Sequence, residues 1–436
     1  MLQQHRLEEA KNLLTQVCKT DRRDAEAWYL LGAVNHSLGR LDEAAACCRQ
    51  VVDLQPGNAD AHYSLGVLLQ ELGELENAVP HYQQALAVRP DFLEARSNLG
   101  RVFETLGRLE EAAQSYGQAL DIDPRQAKVQ YNLGNALHRL GRFEEAAERF
   151  RQAIALRAGY AEAHHNLGNA LLALGHADKA INCFRQAITL LPNYSNAYYN
   201  LGIALRGQNR LDDAVASYRQ ALALQPDYVD ALNNLGLALA QLGRLDDAVA
   251  SYRQALALQP DYVDALNNLG LALAQLGRLD DAAASCQQAL AIKPDHVSAL
   301  NNLGFIQISQ ARLNEGIASY RRALALKPDD VETHMNLSLA LLRMGDFERG
   351  WEEHEWRRRD SKYKQPVFPQ PQWDGANLSG KAILLHAEQG LGDTLHFIRY
   401  VPLVKRRGGR VIVACQPPLV RLLASVKGAD QIIPMG

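Results

Sequence analysis

The chain has 436 residues, too many for one compact core, so at least two structural units are expected. A formal net charge of −3 and a pI near 6.5 argue against an electrostatic nucleic-acid binder, which carries a basic excess. A hydrophobic content of 47% is ordinary for a soluble protein, and no run approaches the roughly 18–20 apolar residues that span a bilayer.

The N-terminal MLQQHRLEEAKNLL holds charges but not the apolar core of a secretory signal. Leu7, Ala10, Leu14 and Val17 instead form the stripe of one helix within residues 1–24, half of a repeat. Such an exposed stripe offers a homodimer contact. The six cysteines are scattered without a C-x-x-C, which reads as reduced thiols in a cytoplasmic protein.

From residue 25 a 34-residue period takes over. Gly32, Gly66, Gly100, Gly134, Gly168, Gly202, Gly236, Gly270 and Gly304 keep it without drift, and Ser338 takes the next slot. Twelve residues after each comes a small residue, from Ala44 to Ala282 and then Gly316 and Gly350. Pro56, Pro90, Pro124, Pro192, Pro226, Pro260, Pro294 and Pro328 share another phase, interrupted at Ala158. Each unit reads as a helix A ended by a glycine such as Gly39, a helix B, and a proline-marked turn. Helix B carries an apolar stripe such as Leu41, Ala44, Cys48 and Val51, and an aromatic slot (Tyr82, Tyr116, Phe150, Phe184, Tyr218, Tyr252, Tyr320). No unit can bury its stripe alone, so stacking supplies the core. The unit at 211–244 recurs unchanged at 245–278, so these two present the same side chains to a ligand and suit repetitive recognition.

Two residues before the glycine slot stand Asn98, Asn132, Asn166, Asn200, Asn234, Asn268, Asn302 and Asn336. Asparagine is a poor helix former, so a row of them inside helices needs a reason. Uncharged carboxamides that donate and accept hydrogen bonds can clasp the backbone of an extended peptide whatever its side chains. The plainer alternative is a solvated position, or one bonded within the array.

Trp28, Leu31, Gly32, Ala44, Pro56 and their echoes resemble the tetratricopeptide repeat family. The resemblance implies a mainly α fold, a right-handed α-solenoid or superhelix of about ten repeats over residues 25–358, the last of them divergent. The asparagine row is similar to the ladder of the O-linked N-acetylglucosamine transferases, which implies an extended protein or peptide partner; Leu30 and Ser64 depart from it. The carboxylate clamp used on chaperone tails needs a lysine one residue before the ladder slot. Tyr29, Tyr63, Ser97, Tyr131, His165, Tyr199, Asn233, Asn267, Asn301 and Met335 stand there, which disfavours it.

Trp351 and Trp356 read as packing at the end of the array, and His354 among glutamates as a solvated helix face, so no metal is expected. Residues 359–380, with Pro366, Pro369, Pro371, Gly375 and Gly380, read as an ordered linker. Residues 381–436 then alternate strand 382–386, a glycine turn, a helix over 394–407 interrupted at Pro402, the strand RVIVAC, a helix from the PP pair, and the strand QIIP. That order opens a parallel, Rossmann-like α/β domain, whose ligands bind at the carboxyl ends of strands. Gly390 and Gly392 permit close backbone approach, while Asp393 at the helix start reads as an N-cap or as a chemical group. The turn is not G-x-G-x-x-G, so no dinucleotide cofactor is expected.

WDG, a strand and EQGLGDTLHFIRYVPLV resemble bacterial fusions of tetratricopeptide repeats to a glycosyltransferase domain similar to the lipopolysaccharide heptosyltransferases, which have a two-lobed GT-B fold. The resemblance covers residues 349–436. It implies Asp393 as the general base, Glu388 and Gln389 as acceptor-side contacts, Gly390 and Gly392 as loop formers, and a nucleotide-sugar donor. An aspartate is a weak base unless burial or placement raises its effectiveness. The sequence stops after the third strand, before the lobe that holds the donor in GT-B enzymes. Both ends therefore read as cut, and this chain by itself as catalytically inactive. The alternative is a non-catalytic protein–protein interaction scaffold.

Overall fold

In the computed structural model, which describes residues 2–359, 369–388 and 390–435, the 34-residue period becomes a period of helix pairs. The A helices are Ala25–Ser37, Ala59–Glu71, Leu93–Thr105, Ala127–Arg139, Ala161–Ala173, Ser195–Gly207, Val229–Gln241, Val263–Gln275, Val297–Ser309 and Val331–Met344. Each is followed by a B helix, from Leu41–Leu54 to Leu313–Leu326 and the shortened Phe347–His354, and a lone helix, Leu2–Thr20, precedes them all. The chain divides into two compact units, Met1–Gln310 and Ala311–Gly436, and the division falls inside the ninth repeat. Within the first unit every helix packs on the next, and from Ala59 onward successive A helices also touch each other directly.

The glycine slot is explained by what faces it. A Cβ on Gly66, Gly100, Gly202 or Gly236 would stand 2.9, 2.7, 2.6 or 2.5 Å from Cε1 of Tyr82, Tyr116, Tyr218 or Tyr252. Those rings are fully buried on the following B helix, beside alanines such as Ala78, Ala112, Ala214 and Ala248 with no exposed surface. At Gly270 the sulfur of Cys286 takes the place of the ring, 2.6 Å from the Cβ position. The second recurring glycine, at Gly39 and its echoes, adopts a left-handed backbone that ends helix A (φ 74° at Gly39, 75° at Gly243). Asn209 and Ala311 hold the same conformation without being glycine (φ 60° and 62°). Asparagine adopts this region readily, so it is at Ala311 that the turn geometry overrides side-chain preference. At the start of the B helices, Arg210, Arg244 and Arg278 pair with Asp213, Asp247 and Asp281 three residues on. These pairs are exposed and contribute little each, about 0–1 kcal/mol.

In the second unit the strands fall where the sequence reading put them: β1 Ala382–His386, β2 Arg410–Cys415 and β3 Gln431–Pro434. They form a parallel sheet in the order β1-β2-β3, with Ala382 opposite Arg410 and Ile412 opposite Gln431. Leu378, Ile383, Val401, Val404, Val411 and Val413 make its core. The helix expected over 394–407 begins earlier and is broken, as Leu391–Phe397, a 3-10 turn at Ile398–Tyr400, and Val401–Lys405. Its N-cap is Gly390, which carries no side chain to cap with, so Asp393 lies in the first turn and is not the cap. Of the linker, residues 369–380 are held by side-chain turns: Trp373 Nε1 donates to the Ala376 carbonyl (2.8 Å), and Asp374 accepts from the Ala376 amide (2.9 Å). Pro366 lies outside the described residues. Among the described residues, no helix is long and apolar enough to cross a membrane, and no three metal-ligating side chains cluster.

Gly236→Ala pushes a methyl into the Tyr252 ring, an overpacking that costs about 1–3 kcal/mol. Urea unfolding followed by circular dichroism should show a lower midpoint for it and almost none of that loss for Gly57→Ala, whose Cβ position is open. Equal midpoints for the two variants would contradict the packing argument.

Candidate functional site

Residues spaced i, i+4, i+7 and i+11 share one face of an α-helix. On Val229–Gln241 that face is Asp230, Asn234, Leu237 and Gln241, and on Val263–Gln275 it is Asp264, Asn268, Leu271 and Gln275. The opposite face, with Ala231, Leu235 and Ala238, is buried. The A helices therefore present side-by-side rows of side chains, one member per repeat.

All eight asparagines of the ladder slot are half-buried. Most of their amide nitrogens reach back to the preceding repeat. Asn98, Asn166 and Asn234 donate to the hydroxyls of Tyr63, Tyr131 and Tyr199 at 3.2, 3.1 and 3.1 Å. Asn268 donates to Asn233 Oδ1 (3.0 Å) and Asn302 to Asn267 Oδ1 (2.8 Å). Asn166 and Asn200 also donate to Asn135 and Asn169, at 2.8 Å each. Asn132 faces the Tyr116 hydroxyl, on the B helix just before it, which itself donates to Glu104 (3.1 Å). Asn336 stands in the second unit. Much of the donor capacity read from the sequence as available to a ligand is thus spent in tying repeats together. No described side chain donates to Oδ1 of Asn200, Asn234, Asn268 or Asn302.

The rung at Asn200 has one further consequence. Its Nδ2 lies 2.9 Å from His165 Nε2, so that ring nitrogen accepts and the proton sits on Nδ1, which faces Asn166 Oδ1 (3.1 Å) and the Tyr194 hydroxyl (3.1 Å). Burial lowers the His165 pKa below its ordinary value and keeps this neutral form. Tyr63, Tyr131 and Tyr199 occupy the same column and pack in tilted pairs against Phe92, Tyr160 and Tyr228, with centroids 4.8 Å apart in each pair. Burial raises all three phenols.

Sequence reading missed the row three residues after the ladder slot. It runs Arg101, Asn135, Asn169, Ile203, Leu237, Leu271 and Phe305, polar first and then apolar. The helical period that placed the ladder on one face would have found it. Asn135, Asn166 and Asn169 line a polar recess of about 280 Å³ with Glu104, His138 and Arg139. Burial lowers the His138 pKa.

In the second unit a cavity of about 700 Å³ opens at the carboxyl end of β1. Asp393, Glu388, Phe397, Tyr400, Trp351 and Arg357 are among its walls. Glu388, read as an acceptor contact, is bound to Arg357 at 3.0 Å, and Arg357 also pairs with Glu355 at 2.9 Å. The Arg357 side chain is only 14% exposed, and no pattern in the sequence points to it. Asp393 is exposed on the cavity wall. Gln389 lies outside the described residues. Gly390 has an ordinary φ of −64°, and a Cβ on Gly392 would meet nothing within 4 Å.

Stacked helix pairs with a regular row of inward-bonded carboxamides define an α-helical repeat array. Tetratricopeptide repeat models match residues 2–59, 59–92, 165–228, 199–261, 233–297 and 297–330, with TPR repeat models at 101–141 and 134–175. The chain belongs to the tetratricopeptide repeat family. Over 68 residues it is 38% identical to protein FlbA of Caulobacter vibrioides (strain ATCC 19089 / CIP 103742 / CB 15), a match that takes in 15% of this chain and 11% of FlbA. Among solved structures it is similar to TTC0263, a thermophilic TPR protein in Thermus thermophilus (28% identity, 42% of this chain and 99% of that one, TM-score 0.36). It is also similar to YrrB, described as a TPR protein with an unusual peptide-binding site (24% identity, 42% of this chain and 95% of that one, TM-score 0.38).

Because the His165 pKa is lowered on folding, the unfolded chain takes up the proton first. Stability from this ring is present above about pH 6.5 and falls as pH drops through that value. His165→Tyr installs the residue found at 131 and 199 and should remove part of the loss in melting temperature between about pH 7.5 and pH 5.5. An unchanged pH profile would contradict the neutral rung.

Proposed function

We propose that the A-helix face from Asn98 to Asn302 binds an extended peptide or protein segment along its backbone. One observation carries the reading: carboxamides with a nitrogen tied to the array and, from Asn200 to Asn302, an oxygen that no described side chain engages. An uncharged acceptor row suits the backbone N–H groups of a chain that has no internal hydrogen bonds, whatever its side chains. No lysine stands in the column a carboxylate clamp would use, and the identical units 211–244 and 245–278 offer the same acceptors twice. Asn336 holds the same slot in the second unit. In this reading the protein works in the cytoplasm, on a protein partner and not on nucleic acid.

The second unit favours a finer reading. We propose that its three-stranded parallel sheet opens the first, Rossmann-like lobe of a glycosyltransferase domain for which the array is the substrate-holding arm. The support is Asp393 on the wall of a 700 Å³ cavity at the carboxyl end of β1. It sits beside Gly390 and Gly392, whose lack of side chains the local packing and backbone do not demand. There Asp393 takes the acceptor proton, and a nucleotide-sugar supplies the sugar. Arg357 holds Glu388 and so acts as a positioning residue.

Asn234→Ala combined with Asn268→Ala should weaken binding of an unstructured peptide about tenfold while leaving helicity intact. Fluorescence anisotropy and circular dichroism measure the two effects. Unchanged affinity would assign the row to holding repeats together and nothing more. For the second unit, Asp393→Asn in the protein as it occurs in the cell should abolish sugar transfer and spare donor binding by calorimetry. Retained turnover would remove Asp393 as the base.

A further inference from the structure

The rows beside the asparagines change character along the first unit. Three residues after the ladder slot, Ile203, Leu237, Leu271 and Phe305 form an apolar edge. Leu271 is 37% exposed and Phe305 46%. Four residues before the slot, Asn196, Asp230, Asp264 and Ser298 are all exposed. Neither row holds a lysine or arginine over this stretch. The strip is therefore apolar along one edge, carbonyl-rich in the middle and acidic along the other. Tyr262 donates to Asp230 (2.8 Å) and His296 Nε2 faces Asp264 (3.3 Å), and no described lysine or arginine pairs with either carboxylate.

Spacing decides which ligand conformation fits. Successive A helices here are in direct contact, which sets their axes about 8–10 Å apart. A ligand that gives one apolar side chain to each of Leu237, Leu271 and Phe305 must repeat its face at that distance. A β-strand repeats its face every second residue, at about 6.7 Å, or every fourth, at about 13 Å. Neither matches. A polyproline II chain has three residues per turn at about 3.1 Å each, so its face returns about every 9.3 Å.

We propose that the strip over Asn200–Phe305 binds a polyproline II segment with an apolar residue at every third position and cationic residues between. The inference rests on the peptide-binding reading above. Polyproline II leaves its own N–H groups without internal partners, and the carbonyl oxygens of Asn234, Asn268 and Asn302 accept from them at the non-proline positions. Asp230 and Asp264 attract the cations. Because residues 211–244 and 245–278 are identical, a ligand shifted by three residues and one repeat recovers the same contacts at the shared units.

The test uses the full chain and three labelled twelve-residue peptides of one composition, leucine, lysine and glutamine. Leucines stand at every third position, at every second, or in one block. Fluorescence anisotropy should give at least about tenfold tighter binding for the every-third peptide. Leu271→Ser with Phe305→Ser, both at exposed positions, should erase that preference while the helical circular dichroism stays intact. Equal binding of all three peptides, tightest binding of another spacing, or a preference that survives the double variant would overturn the spacing inference. If in such a case affinity still falls with Asn234→Ala and Asn268→Ala, the general peptide reading survives. Failure of all three peptides to bind would overturn both.

Discussion

Everything in the first unit depends on how closely a B-helix ring can approach an A-helix backbone. Gly236 lets the edge of the Tyr252 ring lie where a methyl would have to stand, and the same contact recurs from Gly66 to Gly236, with Phe150 and Phe184 facing Gly134 and Gly168. That contact fixes the separation within a pair. It leaves each pair with an apolar flank that only the next pair can cover. Once pairs stack in that way, successive A helices meet directly and their side chains fall into rows. Packing chemistry at one slot thus sets the rows of side chains at another.

The asparagines join the packing and the proposed binding face. As donors they fasten each repeat to the one before it, through Tyr63, Tyr131 and Tyr199 in some rungs and through Asn233 and Asn267 in others. As acceptors, Asn200, Asn234, Asn268 and Asn302 meet no donor among the described side chains. A carboxamide already donating on one side is polarised toward stronger acceptance on the other, so in the proposed reading the rungs that stiffen the array also prepare the row for a ligand backbone. Neutrality matters as well. A charged row would have to be desolvated on every binding event, whereas amides exchange one hydrogen bond for another at small net cost.

How much of this could be read from the sequence follows from which constraints repeat. The glycine, alanine and proline slots appear at each repeat because each repeat faces the same neighbours, so helix pairs and their turns were legible throughout. The three strands were legible because short apolar runs between glycine turns leave few alternatives. The direction of the asparagine amides was not, since partners such as Tyr199 and Asn233 lie 35 residues back, in the column where a clamp would need lysine. Asn135 and Asn169 lie one step past the ladder slot on the same helical face, where no repeated residue type marks them. Beyond the tenth repeat nothing recurs. The Arg357–Glu388 pair joins residues 31 apart with no pattern to announce it, and the cap fell to Gly390 because the helix begins three residues earlier than its polar content suggests.

The central claim is that ligands lie on the A-helix face of the first unit. A photo-crosslinking side chain at Leu271, compared with one at the exposed B-helix residue Arg253, tests it directly with a defined extended peptide. The account predicts a crosslink to the peptide from position 271 that excess unlabelled peptide suppresses, and none from position 253. Crosslinking from 253 alone, or equally from both, would contradict it.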